Sequence, residues 1–165
     1  MKRFAGAAML MGTMALTAAA CGSSSSTPAA AKSSGQTGNS GTSQAAFVSA
    51  ANAICKSGNT QQQALTQPAD NAPLSQWADY LSKFENIGSS LYSQLQGVTP
   101  PKNKQSAYTN YLTSFSKALS DVRLAQQAAA NNDTNGLQSS VQTITHDSST
   151  VQSDAKSLGL TGCAD

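Results

Sequence analysis

His146, Asp147 and Ser148 stand in a row, and these are the residue types of a nucleophilic relay. Their adjacency defeats that chemistry. On a helix, consecutive side chains diverge by about 100°, so three neighbours cannot pass a proton among themselves. His146 lies opposite the apolar stripe of its segment, the place of a solvated surface histidine. Metal or haem coordination by His146 would need partners from another helix, and the sequence specifies none. It is the chain's single histidine, which excludes multi-histidine metal sites. Met1, Met9, Met11 and Met14 all fall within the first 20 residues, leaving no thioether cluster for copper in the remainder.

The acids suggest no reaction either. Asp79 with Lys83, and Lys117 with Asp121, are spaced as i,i+4 surface pairs. Asp147 and Asp154 are seven residues apart on what reads as a polar helix face, and Glu85 is the single glutamate. Nothing matches the inward Glu and Glu-x-x-His sets of di-iron bundles. Trp77, Tyr80, Phe84, Tyr92, Tyr108, Tyr111 and Phe115 recur at helical spacing, as core residues or as the lining of an apolar pocket. There is no glycine-rich phosphate loop, zinc-ligand spacing or nucleophile elbow. The expectation is no catalytic residue, no metal and no cofactor.

Three cysteines remain: Cys21, Cys55 and Cys163. The first follows a leader. Lys2 and Arg3 form a positive start, Phe4 to Leu16 an apolar stretch, and Ala18-Ala19-Ala20 a small-residue cleavage site, so residues 1–20 read as a signal peptide. The stretch Phe4–Ala20 is at the short limit for a membrane span and runs into Gly22-Ser23-Ser24. Thr17-Ala18-Ala19-Ala20-Cys21-Gly22 resembles a bacterial lipobox, in which the cysteine receives diacylglycerol and becomes the new N-terminus. Ala18 departs from that pattern, which favours Leu. The same Ala-x-Ala also suits ordinary signal peptidase, which would release a soluble protein. The expected state is export with lipid anchoring at Cys21 to the outer face of a bacterial cell membrane; soluble secretion is the alternative.

Residues 21–43 are rich in Ser, Gly, Thr and Ala and hold no apolar residue larger than Pro after Cys21. Such a segment cannot bury enough surface to offset its ordering entropy, so it reads as a disordered tether. Its flexible part would reach about 25 Å root-mean-square. The formal charge of +2 belongs to Lys2 and Arg3; the eight basic and eight acidic residues beyond them balance, with signs interspersed. Without a basic face, neither nucleic acid nor anionic lipid headgroups are expected partners.

From residue 44 the apolar residues repeat with helical period. Leu74, Trp77, Leu81, Phe84, Gly88, Leu91, Leu95 and Val98 alternate spacings of three and four. Tyr108, Leu112, Phe115, Leu119, Val122 and Ala129 form a second stripe, with Ala118 and Ala125 beside it. A third runs through Leu137, Val141, Ile144, Ser148, Val151, Ala155 and Leu158. The first segment is poorer in large residues, with Phe47, Ala51, Ile54, Gly58 and Leu65. Pro73 suits a first turn, Gly97 before Pro100-Pro101 a stop, Asp133 or Thr134 a cap, and Gly159 a close. No run alternates with period two. The chain is therefore predicted to be all-α, with residues 44–165 forming an antiparallel up-down four-helix bundle of helices at about 44–66, 74–97, 102–130 and 134–158. A three-helix bundle with a loose first helix is the alternative. Each helix would be about 35–43 Å long.

With Cys21 used as anchor, Cys55 and Cys163 form an even pair in an oxidising compartment. In an up-down bundle the start of helix 1 and the end of helix 4 share an end, so the tail can fold back along helix 1. The bridge would close about 109 residues and contribute about 4–5 kcal/mol in the chain-entropy model.

Ile54-Cys55 with Asn59, Thr99-Pro100-Pro101, Asn131-Asn132-Asp133 and Leu158-Gly159-Leu160 with Cys163 together resemble small actinobacterial lipoproteins or secreted proteins of unassigned function. The resemblance covers residues 45–165, implies the two-cysteine helical domain and an envelope location, and implies no activity. The first expectation for function is a non-enzymatic, tethered interaction or structural module of the cell envelope. Its partner-facing loops would be residues 67–73 and 131–134, at the end away from the membrane. The second is a carrier or sensor of a small apolar ligand, held where Gly58 and Gly88 leave room between helices. Oligomeric state is not written in the sequence.

Overall fold

The computed structural model describes residues 42–164, and over that range the chain is a four-helix bundle without strands. The expected signal peptide, the expected anchor Cys21 and the expected tether up to residue 41 lie outside the described residues. The helices are α1 (Gln44–Gln63), α2 (Leu74–Gln96), α3 (Gln105–Ala130) and α4 (Thr134–Leu158), with short 3-10 turns at Lys102–Lys104 and Thr161–Cys163. Among the described residues no helix is long and apolar enough to cross a membrane.

Side-chain chemistry sets the ends. The Ser43 hydroxyl accepts from the amide of Ala46 at α1, and the Asp133 carboxylate accepts from that of Gly136 at α4. Each occupies an amide that the first helical turn would leave unpaired. Between α3 and α4, Asn132 takes a left-handed conformation (φ 56°), which asparagine tolerates better than most residues. Gly159 closes α4 in the same region (φ 79°), and the Leu160 amide then bonds back to the Ala155 carbonyl at 2.9 Å.

Two expected boundaries move. α1 stops at Gln63 rather than 66, four residues before Gln67 of the Gln67-Pro68 step, with the Leu65 amide turning to Gln62. The chain after Pro100-Pro101 enters through the 3-10 turn, whose Lys104 amide bonds the Pro101 carbonyl at 2.8 Å, before α3 proper begins. α1 is therefore about 30 Å long and α3 about 39 Å. The four helices are not matched in length.

Contacts run in opposite senses along neighbouring helices. Tyr108 of α3 donates to the Leu95 carbonyl of α2 (2.6 Å), while farther along α3 Arg123 pairs with Glu85, earlier in α2 (2.6 Å). Ser114 of α3 meets Asp154 of α4 (2.8 Å), and Lys117 meets Asp147. At the outset of α1, Gln44 donates to the Leu158 carbonyl at the end of α4 (3.2 Å).

The core has two parts. One, near the chain termini of the bundle, joins Phe47, Ala51, Cys55, Leu91, Leu95, Tyr108, Tyr111, Val151, Ala155, Leu158 and Leu160. The other joins Ala78, Leu81, Val122, Ala125 and Ala129, flanked by Trp77, Tyr80, Phe84, Leu137 and Ile144. α1 contributes to the first alone. Val141, a stripe residue by spacing, is half exposed.

Candidate ligand cavity

Between the two core clusters lies a cavity of about 170 Å³. It arises where small or polar residues gather on or beside the apolar stripes. Gly88 of α2, Ala118 of α3 and Ser148 of α4 all line it, and α1 offers Asn59 there rather than an aliphatic side chain. Leu91, Phe115, Leu119, Val122, Ile144 and Val151 form the apolar wall. The recess opens to solvent on one side, where Gln152 is exposed.

The two glycines named from the sequence behave differently from a simple gap. A Cβ on Gly88 would lie 2.5 Å from Leu119, and one on Gly58 would lie 3.0 Å from Leu91. Leucines from neighbouring helices thus occupy the space over both glycines. The open volume is beside Leu119 and Leu91, and Gly58 is not part of its lining.

One wall is built by the C-terminal tail. The left-handed Gly159 turns the chain so that Leu160 is fully buried. Gly162 is then clamped by two α1 side chains: its amide donates to Asn52 (2.9 Å), and its carbonyl accepts from Asn59 (3.2 Å). A Cβ there would lie 3.2 Å from the Asn52 carbonyl oxygen. Cys55 and Cys163 are joined in a disulfide with Cα atoms 5.0 Å apart, and both line the cavity. The tail folds back along helix 1, and the bond forms between the two cysteines paired from the sequence. Asn52 gave no sequence signal beyond being a polar residue beside the buried face of α1.

The aromatic residues divide. Tyr108 and Tyr111 are core, with Phe47 set edge-on against Tyr108 at 5.0 Å between ring centroids. Burial pushes the Tyr108 phenol up to about 12, and burial raises that of Tyr111 as well. Tyr111 and Phe115 line the cavity with Phe84, and Tyr92 stacks on Phe115 at 6.0 Å. Trp77 and Tyr80 pack against the second cluster.

Beside the cavity, α3 and α4 share a charged seam. Asp147, expected on a polar face, is only 7% exposed. It lies three residues after Ile144 and four before Val151, so it falls at the edge of the buried stripe, where that spacing could have shown it. Lys117 bonds Asp147 and also reaches Asp121 at 3.4 Å. The Lys117 ammonium holds the Asp147 carboxyl well below the usual carboxylate range. Burial, together with the neighbouring Asp147 carboxylate, raises Asp121. His146 stays in solvent, its side chain 80% exposed, with Nδ1 3.2 Å from Asp147 Oδ1; Ser148 points instead into the cavity. The three adjacent residues therefore serve three different surroundings. Asp154 accepts from Ser114 rather than facing Asp147. Asp79 and Lys83 border a separate cleft of about 620 Å³ under the α1–α2 loop, with Leu65, Pro68 and Tyr80. Among the described residues no three His, Cys, Asp or Glu side chains gather as a metal site would require.

Comparison of the chain with protein-family models, curated proteins and solved structures returned no match.

Proposed function

We propose that this chain is an exported, lipid-anchored envelope protein whose helical domain holds a small apolar ligand and transforms none. The cavity between the two core clusters carries the reading, because small or polar residues from all four helices, Asn59, Gly88, Ala118 and Ser148, line one recess. At about 170 Å³ it falls below the roughly 300–1,000 Å³ of sites for drug-sized molecules. Its volume is close to the roughly 150 Å³ of an engineered cavity that takes up benzene, but it opens to solvent and carries amides in its lining. Its occupant would be one ring or a short hydrocarbon chain. The lipobox-like leader and the tether support display of this domain at the outer face of a membrane.

Native mass spectrometry of the protein recovered from its own host tests the reading. A small-molecule adduct that survives purification is expected; a bare chain from every preparation would contradict it. Mass analysis of the mature N-terminus tests the anchor, with diacylglycerol on Cys21 expected and an unmodified Cys21 against it.

The interaction-module reading draws on the 620 Å³ cleft under the α1–α2 loop. Leu65, Pro68 and Tyr80 there offer apolar contact, with Gln67, Gln76 and Asp79 as polar partners. Alanine substitutions at Leu65 and Tyr80 should abolish crosslinks to an envelope partner; unchanged crosslinks would remove this second reading.

A further inference from the structure

The side-chain amides of the cavity lining stand on two helices, α1 and α4. Leu91, Phe115, Leu119 and Val122 of α2 and α3 join Ile144 and Val151 of α4 in the apolar lining, whereas every side-chain amide comes from α1 (Asn59, Gln62) or α4 (Gln152). α1 and α4 make little direct contact with one another; the 3-10 turn of the tail packs against both. Gln152 is exposed and Gln62 half-buried. These two amides therefore form a solvent-facing rim over an apolar floor.

The lining contains no Asp, Glu, Lys, Arg or His. The nearby charges are already paired elsewhere, Lys117 with Asp147 and Asp121, and Arg123 with Glu85. A carboxylate, phosphate or ammonium drawn into this cavity would lose its hydration and gain no opposite charge. A neutral hydroxyl, ester or amide at the rim would exchange water for side-chain amides at little loss.

We propose that the cavity selects neutral ligands, with a ring or short alkyl chain on the apolar floor and one uncharged hydrogen-bonding group at the Gln62–Gln152 rim. This rests on the ligand-holding reading above and narrows it by charge. Free fatty acids and charged amines of the same hydrocarbon size are excluded.

The test titrates the full chain at pH 7 with 1-hexanol and, separately, with hexanoate, following the methyl NMR signals of Leu119, Val122 and Ile144. Saturable shifts with hexanol and at least ten-fold weaker binding of hexanoate are expected. The Gln62→Leu/Gln152→Leu variant, altered only at the rim, should bind hexanol several-fold more weakly. Hexanoate binding as tightly as hexanol would overturn the charge selection and leave the ligand-holding reading standing. Unchanged hexanol affinity in the rim variant would overturn the assignment of the polar end. If neither compound moves the cavity methyls, both the selection and the reading beneath it fall.

Discussion

Asp121 and Asp147 share one lysine yet are displaced in opposite directions. Asp147, with its pKa lowered by the Lys117 hydrogen bond, contributes stability that is present above the unfolded carboxyl value, about 4, and lost as pH falls through the folded one. Asp121, raised by burial and its like-charged neighbour, acts the other way. Its contribution is present below the unfolded value and is lost as pH rises through the folded one. Asp147→Asn should therefore lower the urea midpoint at pH 7 and flatten its fall in acid, whereas Asp121→Asn should leave the midpoint unchanged or raise it. Equal losses from both variants would contradict the assignment. Glu85, lowered by its hydrogen bond from Arg123, adds to the acid loss with the same sign as Asp147. The identity of these residues was plain in the sequence, but their partners were not. Lys117–Asp147 joins two helices, and the i,i+4 spacing of Lys117 and Asp121 points only along one.

At the scale of elements, α2, α3 and α4 were legible because proline, glycine and capping residues punctuate strong apolar stripes. α1 was less so, since a run of Gln and Ala carries no stop signal before Pro68. Asp133 caps α4 through the Gly136 amide at 2.9 Å, so Asp133→Ala should cost about 1 kcal/mol in denaturant unfolding, and Asp133→Asn much less. Gly159→Ala should also cost about 1 kcal/mol, because φ is 79° there and a Cβ disfavours the left-handed region. The disulfide joins residues 108 apart. Its removal in Cys55→Ser/Cys163→Ser should lower stability by about 4 kcal/mol in the chain-entropy model. It should also free the tail, seen as faster hydrogen exchange at the Leu160 and Gly162 amides. The clamp by Asn52 and Asn59 escaped sequence reading because its acceptor and donor are backbone groups of a tail that takes its path only after Gly159 turns.

Across the whole molecule, two well-packed clusters flank an under-filled layer. The sequence hinted at this with Gly88 and Ser148 at stripe positions, but spacing alone cannot tell whether a neighbouring side chain fills such gaps. Leu119 fills the one over Gly88, while Ala118, Ser148 and Asn59 line the recess that stays open. Ala118→Leu should occupy that space. In a closely packed core the added bulk would cost about 1–3 kcal/mol; here the unfolding midpoint should hold or rise. Ser148→Val offers a milder version of the same change. The central claim, that the cavity is a ligand site, is tested most directly by native mass spectrometry of the wild-type chain and Ala118→Leu purified side by side from the native host. A small-molecule adduct is expected on the wild type and should be missing from the equally folded variant. The same adduct on both, or on neither, would contradict it.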